Sequence, residues 1–188
     1  MTGILFNRRH LLATGAALGG IVALPGAGRA QTFVTGSTDV IAPFETVKIA
    51  QGSLRGGHSR GALAFKGIPY AGSVTGKNRF KQAPEAPSWS GVRDATRLGA
   101  PSLQKPGGAF GANEPAGSED CLVLNVWTPA VGDGKKRPVM FYIHGGGYHS
   151  GSAGAPGQDG SHLAAAYDVV VVACRLGCPL IGVFAKFF

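Results

Sequence analysis

Two uninterrupted apolar runs, Val139–Ile143 and Val169–Val172, do most to restrict the fold of this chain. Neither run alternates with polar residues, so each reads as a strand buried on both faces. Between them lie a loop, Gly145–Gly160, and a short helical stretch, Ser161–Tyr167. Asp159 or Ser161 is placed to cap that helix. The order strand, loop, helix, strand is a βαβ-like unit, which puts the chain in the α/β class with a parallel pair at its centre.

The preceding sequence supplies further elements. Residues 31–45 read as a leading arm. Thr46–Ala50 alternates β-branched and polar residues, and Ala62–Lys66 is a second short apolar stretch. Gly52, Gly56, Gly57 and Gly61 fall between them, which predicts a β-hairpin with a loose turn. Residues 67–118 are rich in Gly, Pro and Ser and have little periodicity. A stretch of that length without pattern is often functional. Leu122–Thr128 reads as a strand. Gly132-Asp-Gly134, the basic triplet Lys135-Lys136-Arg137 and Pro138 make the turn into Val139.

The N-terminus reads as an address. Met1–His10 carries Arg8-Arg9, Leu11–Leu24 is a Gly/Ala-diluted apolar run, and Pro25–Ala30 ends on small residues. This is the layout of a cleavable export signal cut after Ala30. Asn7-Arg-Arg-His-Leu-Leu12 resembles a twin-arginine signal, whose machinery carries folded proteins across the bacterial inner membrane. A periplasmic or secreted destination follows. The apolar run is too short to span a membrane, so no stable span is expected. The net charge of +8 includes Arg8, Arg9 and Arg29. The other basic residues are scattered, apart from the triplet at 135–137, so no nucleic-acid face is expected. Three Cys among 188 residues are too few for a disulfide scaffold.

The chemistry is concentrated in Val139-Met-Phe-Tyr-Ile-His-Gly-Gly-Gly-Tyr148. Three consecutive Gly put bare backbone at the carboxyl end of a strand, where ligands bind in open α/β sheets. Adjacent N–H groups there can converge on an oxygen that becomes negative during acyl transfer. The triplet alone fits a flexible turn equally well.

Other segments add to it in order: Phe65-Lys-Gly-Ile-Pro-Tyr-Ala71, Asn78-Arg-Phe80, Pro84 and Trp89-Ser-Gly-Val-Arg-Asp-Ala-Thr96. Ser118-Glu-Asp-Cys-Leu-Val-Leu-Asn-Val-Trp-Thr-Pro129 follows, then His144–Tyr148 and Ser150-Gly-Ser152. In this order and spacing they resemble the N-terminal part of the type-B carboxylesterases, from about Val47 to about Ala173. That family includes para-nitrobenzyl esterases and cholinesterases.

The resemblance implies an α/β-hydrolase fold, here incomplete: the N-terminal hairpin and the first strands of the central sheet. It also implies hydrolysis of small carboxylic esters by a Ser–Glu–His triad with an oxyanion hole, without metal or organic cofactor. The matching positions make the N–H groups of Gly146 and Gly147 two of the hole's donors. The nucleophile, acid and base match no position here, because the elbow that carries the Ser is expected beyond Phe188.

One G-x-S-x-G does occur, Gly57-His-Ser-Arg-Gly61, but it precedes the Gly triplet and falls in the expected hairpin turn. Ser59 is therefore not read as a nucleophile. His58 and Arg60 read as solvated turn residues. His144 matches a structural position, and His149 and His162 read as loop and helix polar residues. Cys174 and Cys178 have no second ligand pair, so no metal site is expected.

The resemblance also implies a disulfide partner for Cys121 at position 102. Ser102 stands there, which leaves Cys121 a buried thiol. Glu119 and Asp120 are structural by the same comparison, with Arg79 a partner. From about residue 174 the sequence departs from the family pattern. An interior Val169–Ala173 strand would need a neighbour from the missing part. Without it the strand would become an aggregating edge and the chain insoluble or molten. A non-catalytic cholinesterase-like binding protein and an inactive pseudogene fragment are the alternative readings.

Overall fold

The computed structural model describes residues 41–104, 116–147 and 150–175. The export-signal stretch at 1–30 and the arm as far as residue 40 lie outside the described residues. So do Tyr148, His149, Cys178 and the rest of the aberrant tail from residue 176.

Strand β1 (Ile41–Ile49) turns into β2 (Gly52–Ser59), which turns into β3 (Ala62–Pro69). The expected hairpin with a loose turn is therefore wrong: its Gly-rich middle is a strand, and there are two tight hairpins. Residues 41–45, read as part of an arm, belong to β1. The glycines at 56 and 57 misled because Gly has a low strand propensity. Here packing decides. A Cβ on Gly56 would lie 2.5 Å from the Ala64 carbonyl oxygen and 2.5 Å from the Phe65 ring. The second turn is Arg60-Gly61, with φ of 47° and 88°. Two successive positive φ values are what a two-residue type I′ hairpin turn requires.

Strand β4 (Val92–Asp94) follows a long irregular segment, and β5 (Val123–Thr128) starts one residue later than expected. Strand β6 (Val139–Ile143), helix α1 (Ser161–Tyr167) and β7 (Val170–Cys174) complete the described elements. Among the described residues, seven strands form one sheet in the order β1-β2-β3-β5-β7-β6, with β4 beside β2. β6 and β7 pair in parallel, Val139 opposite Val170 and Ile143 opposite Cys174. The βαβ-like unit is therefore present, with its helix at the expected residues.

The burial expected for its first strand is not. All five residues of β6 are exposed, from 38% at Tyr142 to 64% at Val139. Among the described residues β6 pairs with β7 alone, so it is an edge. β7 is interior as expected, but both its neighbours, β5 and β6, come from within this chain. The open edge is thus β6, not β7. An uninterrupted apolar run reports two faces meant for burial; it does not report which strand has a neighbour.

The helix packs on the sheet through small residues. Ala62, Ala64, Ala153, Ala164 and Ala173 surround Trp127 and Val171 in one buried cluster. Leu54, Leu63, Phe65, Ile68 and Ala95 form a second. The turn before β6 is fixed by charge. Arg137 donates to the Asp133 carboxylate through two nitrogens, at 2.9 and 2.5 Å, and to Asp168 at 2.7 Å. Asp168 closes α1 in the left-handed conformation, at φ 51°. One guanidinium therefore ties the entry of β6 to the entry of β7. Its hydrogen bonds hold the Asp133 carboxyl at about 2 and also lower that of Asp168.

Candidate active site

The Gly triplet leaves the carboxyl end of β6 directly. Gly146 has φ 132° and Gly147 φ 60°, conformations that side-chain-bearing residues rarely adopt. Space is a second constraint. A Cβ on Gly146 would collide with the Ser150 carbonyl oxygen, and one on Gly151 with that of Gly145. Gly146 and Gly147 follow one another at the start of this tightly packed loop. Among the described residues, no acceptor meets the N–H of either.

The returning half of the loop is tied down at several points. The Ser150 N–H and Oγ donate to the Gly146 carbonyl at 3.2 and 3.3 Å. The Gln104 carboxamide accepts from Gly151 N–H at 2.9 Å and donates to its carbonyl at 3.0 Å. The fully buried Asn125, on β5, donates to the Ala153 carbonyl at 3.0 Å and accepts from Gly67 N–H at 3.0 Å. The second bond has a cause in the sheet. Phe65 pairs with Val126 and Ile68 with Leu124, so Lys66 and Gly67 together oppose Asn125 as a β-bulge. The bulge deprives Gly67 of a ladder partner, and the Asn125 side chain replaces it.

The helix start is also polar. Asp159, with Gly160 as the N-cap residue, accepts from the Ser161 N–H at 2.9 Å and from the Ser161 hydroxyl. Neither expected cap, Asp159 nor Ser161, is the N-cap residue: Gly160 is, without a side-chain cap bond, and Asp159 bonds the first helical residue from one position earlier. Ser161 Oγ, its proton given to Asp159, accepts from Ser59 Oγ at 3.1 Å. Ser59 is the last residue of β2, buried at 4% exposure, and not a turn residue. Buried against the helix start, it has no exposed hydroxyl to offer as a nucleophile. His58 likewise lies on β2 and is half-buried, whereas Arg60 occupies the turn and is exposed. His144 Nδ1 lies 3.0 Å from the Gly145 carbonyl. His162 is exposed on α1, and His149 lies outside the described residues.

Arg79 meets Glu119 at 3.2 Å, the pairing implied by the resemblance. Cys121 is a buried thiol, as expected, and Cys174 is another. Burial pushes the Cys174 thiol up to about 11. It also raises Tyr70, whose hydroxyl donates to the Arg175 carbonyl at 2.6 Å beside Cys174. Sequence reasoning missed Gln104 and Asn125. The signal for Asn125 was an amide in the middle of an apolar strand, where a polar group must find partners. Gln104 gave no such signal.

The model of the carboxylesterase family matches residues 43–182. This chain belongs to the carboxylesterase family. It is 41% identical over 133 residues to phenmedipham hydrolase of Pseudarthrobacter oxydans, covering 67% of this chain and 27% of that protein. To para-nitrobenzyl esterase of Bacillus subtilis it is 41% identical over 139 residues, 71% of this chain and 28% of that protein. Among solved structures, a Geobacillus stearothermophilus carboxylesterase superposes with a TM-score of 0.64 at 41% identity. That alignment covers 72% of this chain and 27% of the other. A thermophilic para-nitrobenzyl esterase gives 0.67 at 35% identity, over 73% of this chain and 29% of the other. The described sheet is thus part of an α/β-hydrolase fold, and the chain spans under a third of each of these relatives.

Proposed function

We propose that this chain is the N-terminal part of a serine carboxylesterase and supplies two donors of its oxyanion hole. The observation that carries the proposal is the pair of adjacent N–H groups at Gly146 and Gly147. They lie at the carboxyl end of a parallel strand and have no acceptor among the described residues. Two such donors would hold the oxygen of a tetrahedral intermediate. Each is worth roughly 3–4 kcal/mol of barrier in enzymes of this chemistry. The Ser, Glu and His would come from sequence after residue 188. The Ser would attack the ester carbonyl and expel the alcohol, and water would then release the acid from the acyl-enzyme.

Sequencing the gene from the codon for Val169 through at least a kilobase past that for Phe188 tests this. The expected result is a frame that continues to a G-x-S-x-G elbow, a Glu and a His. Its product should hydrolyse para-nitrophenyl acetate, and the 188-residue chain alone should not. A true stop at residue 188 would refute the enzyme reading and leave the fragment reading. We propose further that residues 1–30 direct export through the twin-arginine route. Replacing Arg8-Arg9 by Lys-Lys in a fusion to a folded reporter should then abolish export. Unchanged export would refute it.

A further inference from the structure

In a trans peptide, the carbonyl of one residue and the N–H of the next point in opposite directions. That rule ties the Gly147 donor to a chain of contacts beginning far away in sequence. Gln104 grips both backbone groups of Gly151 across 47 residues. Gly151 is packed so closely on the triplet that a Cβ there would lie 2.7 Å from His144 Nδ1. Its neighbour Ser150 holds the Gly146 carbonyl from one side with two donors. The Gly147 N–H shares a peptide unit with that carbonyl, so it faces away from Ser150. Glycine at φ 132° has many alternative conformations, and nothing in the triplet itself selects this one.

We propose that Gln104 is a positioning residue for the oxyanion donor Gly147 N–H, acting through Gly151 and Ser150. The proposal rests on the oxyanion reading and extends it to a side chain that acts through the backbone of Gly151. Its prediction is selective: loosening Gln104 disorders one peptide plane and leaves the sheet intact.

The test is heteronuclear NMR on the full ¹⁵N-labelled chain, kept dilute enough to sediment as a monomer. Methylphosphonate, a tetrahedral anion, is the probe. In the parent chain it should shift the Gly146 and Gly147 amides. Gln104→Ala should bind it roughly five- to tenfold more weakly, the effect of about one lost hydrogen bond. The Gly147 amide should also lose order, while the Trp127 indole signal stays in place. Gln104→Glu keeps the acceptor for Gly151 N–H and loses the donor, so it should fall between the two. Ser150→Ala, which removes only the hydroxyl donor, should weaken binding without moving Gly151. Should Gln104→Ala unfold, the last two variants carry the test. Equal affinity and equal Gly147 order in every folded variant would overturn the positioning role alone. No shift of either glycine in the parent chain would overturn the oxyanion reading, and the proposal with it.

Discussion

Replacing Asn125 by Ala should destabilise the sheet and the loop together. The side chain is fully buried and makes two hydrogen bonds, one to the bulge in β3 and one to the loop after β6. Removing it orphans the Gly67 N–H at the bulge and the Ala153 carbonyl under the loop. A buried polar group left without its partner costs about 1–3 kcal/mol, so the two together come to about 2–6 kcal/mol. That is a large fraction of the 5–15 kcal/mol typical of a whole folded domain. Urea unfolding, followed by circular dichroism and tryptophan fluorescence, measures it. With a slope of roughly 1–3 kcal/mol per molar urea, the midpoint should drop by about 1 M or more. Asn125→Asp separates the two bonds. A carboxylate can accept from Gly67 but cannot donate to Ala153, and burial disfavours its charge. That variant should be less stable at pH 7 than at pH 5, where more of the carboxyl is protonated and able to donate. If Asn125→Ala unfolds within about 0.5 kcal/mol of the parent, the two bonds carry no net stability and the reasoning fails.

Acid should loosen the turn before β6. Asp133 ionises at about 2 because Arg137 bonds its charged form, so its contribution is complete above pH ~4 and fades as the pH falls toward 2. A carboxyl titration by NMR should give that value, and ordinary titration near 4 would break the assignment. On β6, Met140 is 47% exposed within an all-apolar edge, a template for pairing with another chain. The chain should therefore associate as its concentration rises, and Met140→Lys should reduce this in sedimentation velocity without changing the circular dichroism. A parent chain monomeric at ~100 µM would contradict the edge argument. Cys174, buried and held at about 11, should resist iodoacetamide at pH 8 and react on unfolding in urea. Peptide mass spectrometry showing equal labelling in both states would remove that expectation.

What was legible in the sequence followed from local rules. The two strands and the helix of the βαβ-like unit and the strand near Val123 each leave a pattern within ten residues, and each is present. The Arg79–Glu119 pair was legible only through resemblance, because its partners are 40 positions apart. The misread elements depended on neighbours. Gly56 is tolerated in a strand because Ala64 and Phe65 approach its α-carbon, and β6 is exposed because no second strand lies beside it among the described residues. Neither fact can be read from the residues concerned.

The clamps on the Gly loop show the same division at the level of function. His-Gly-Gly-Gly announces where donors can be, but glycine specifies freedom and not direction. Direction comes from Gln104, Asn125 and Ser150, whose side chains are ordinary polar residues until the fold sets them against Gly151, Ala153 and Gly146. All of these contacts lie among the described residues, so the conformation of the loop is set locally. Among the described residues β6 pairs with β7 alone and offers an apolar edge beside the loop, and a strand laid along that edge would put its own carboxyl end or its start next to Gly146 and Gly147. A parallel neighbour would present its carboxyl end there, which is where α/β folds place their chemistry.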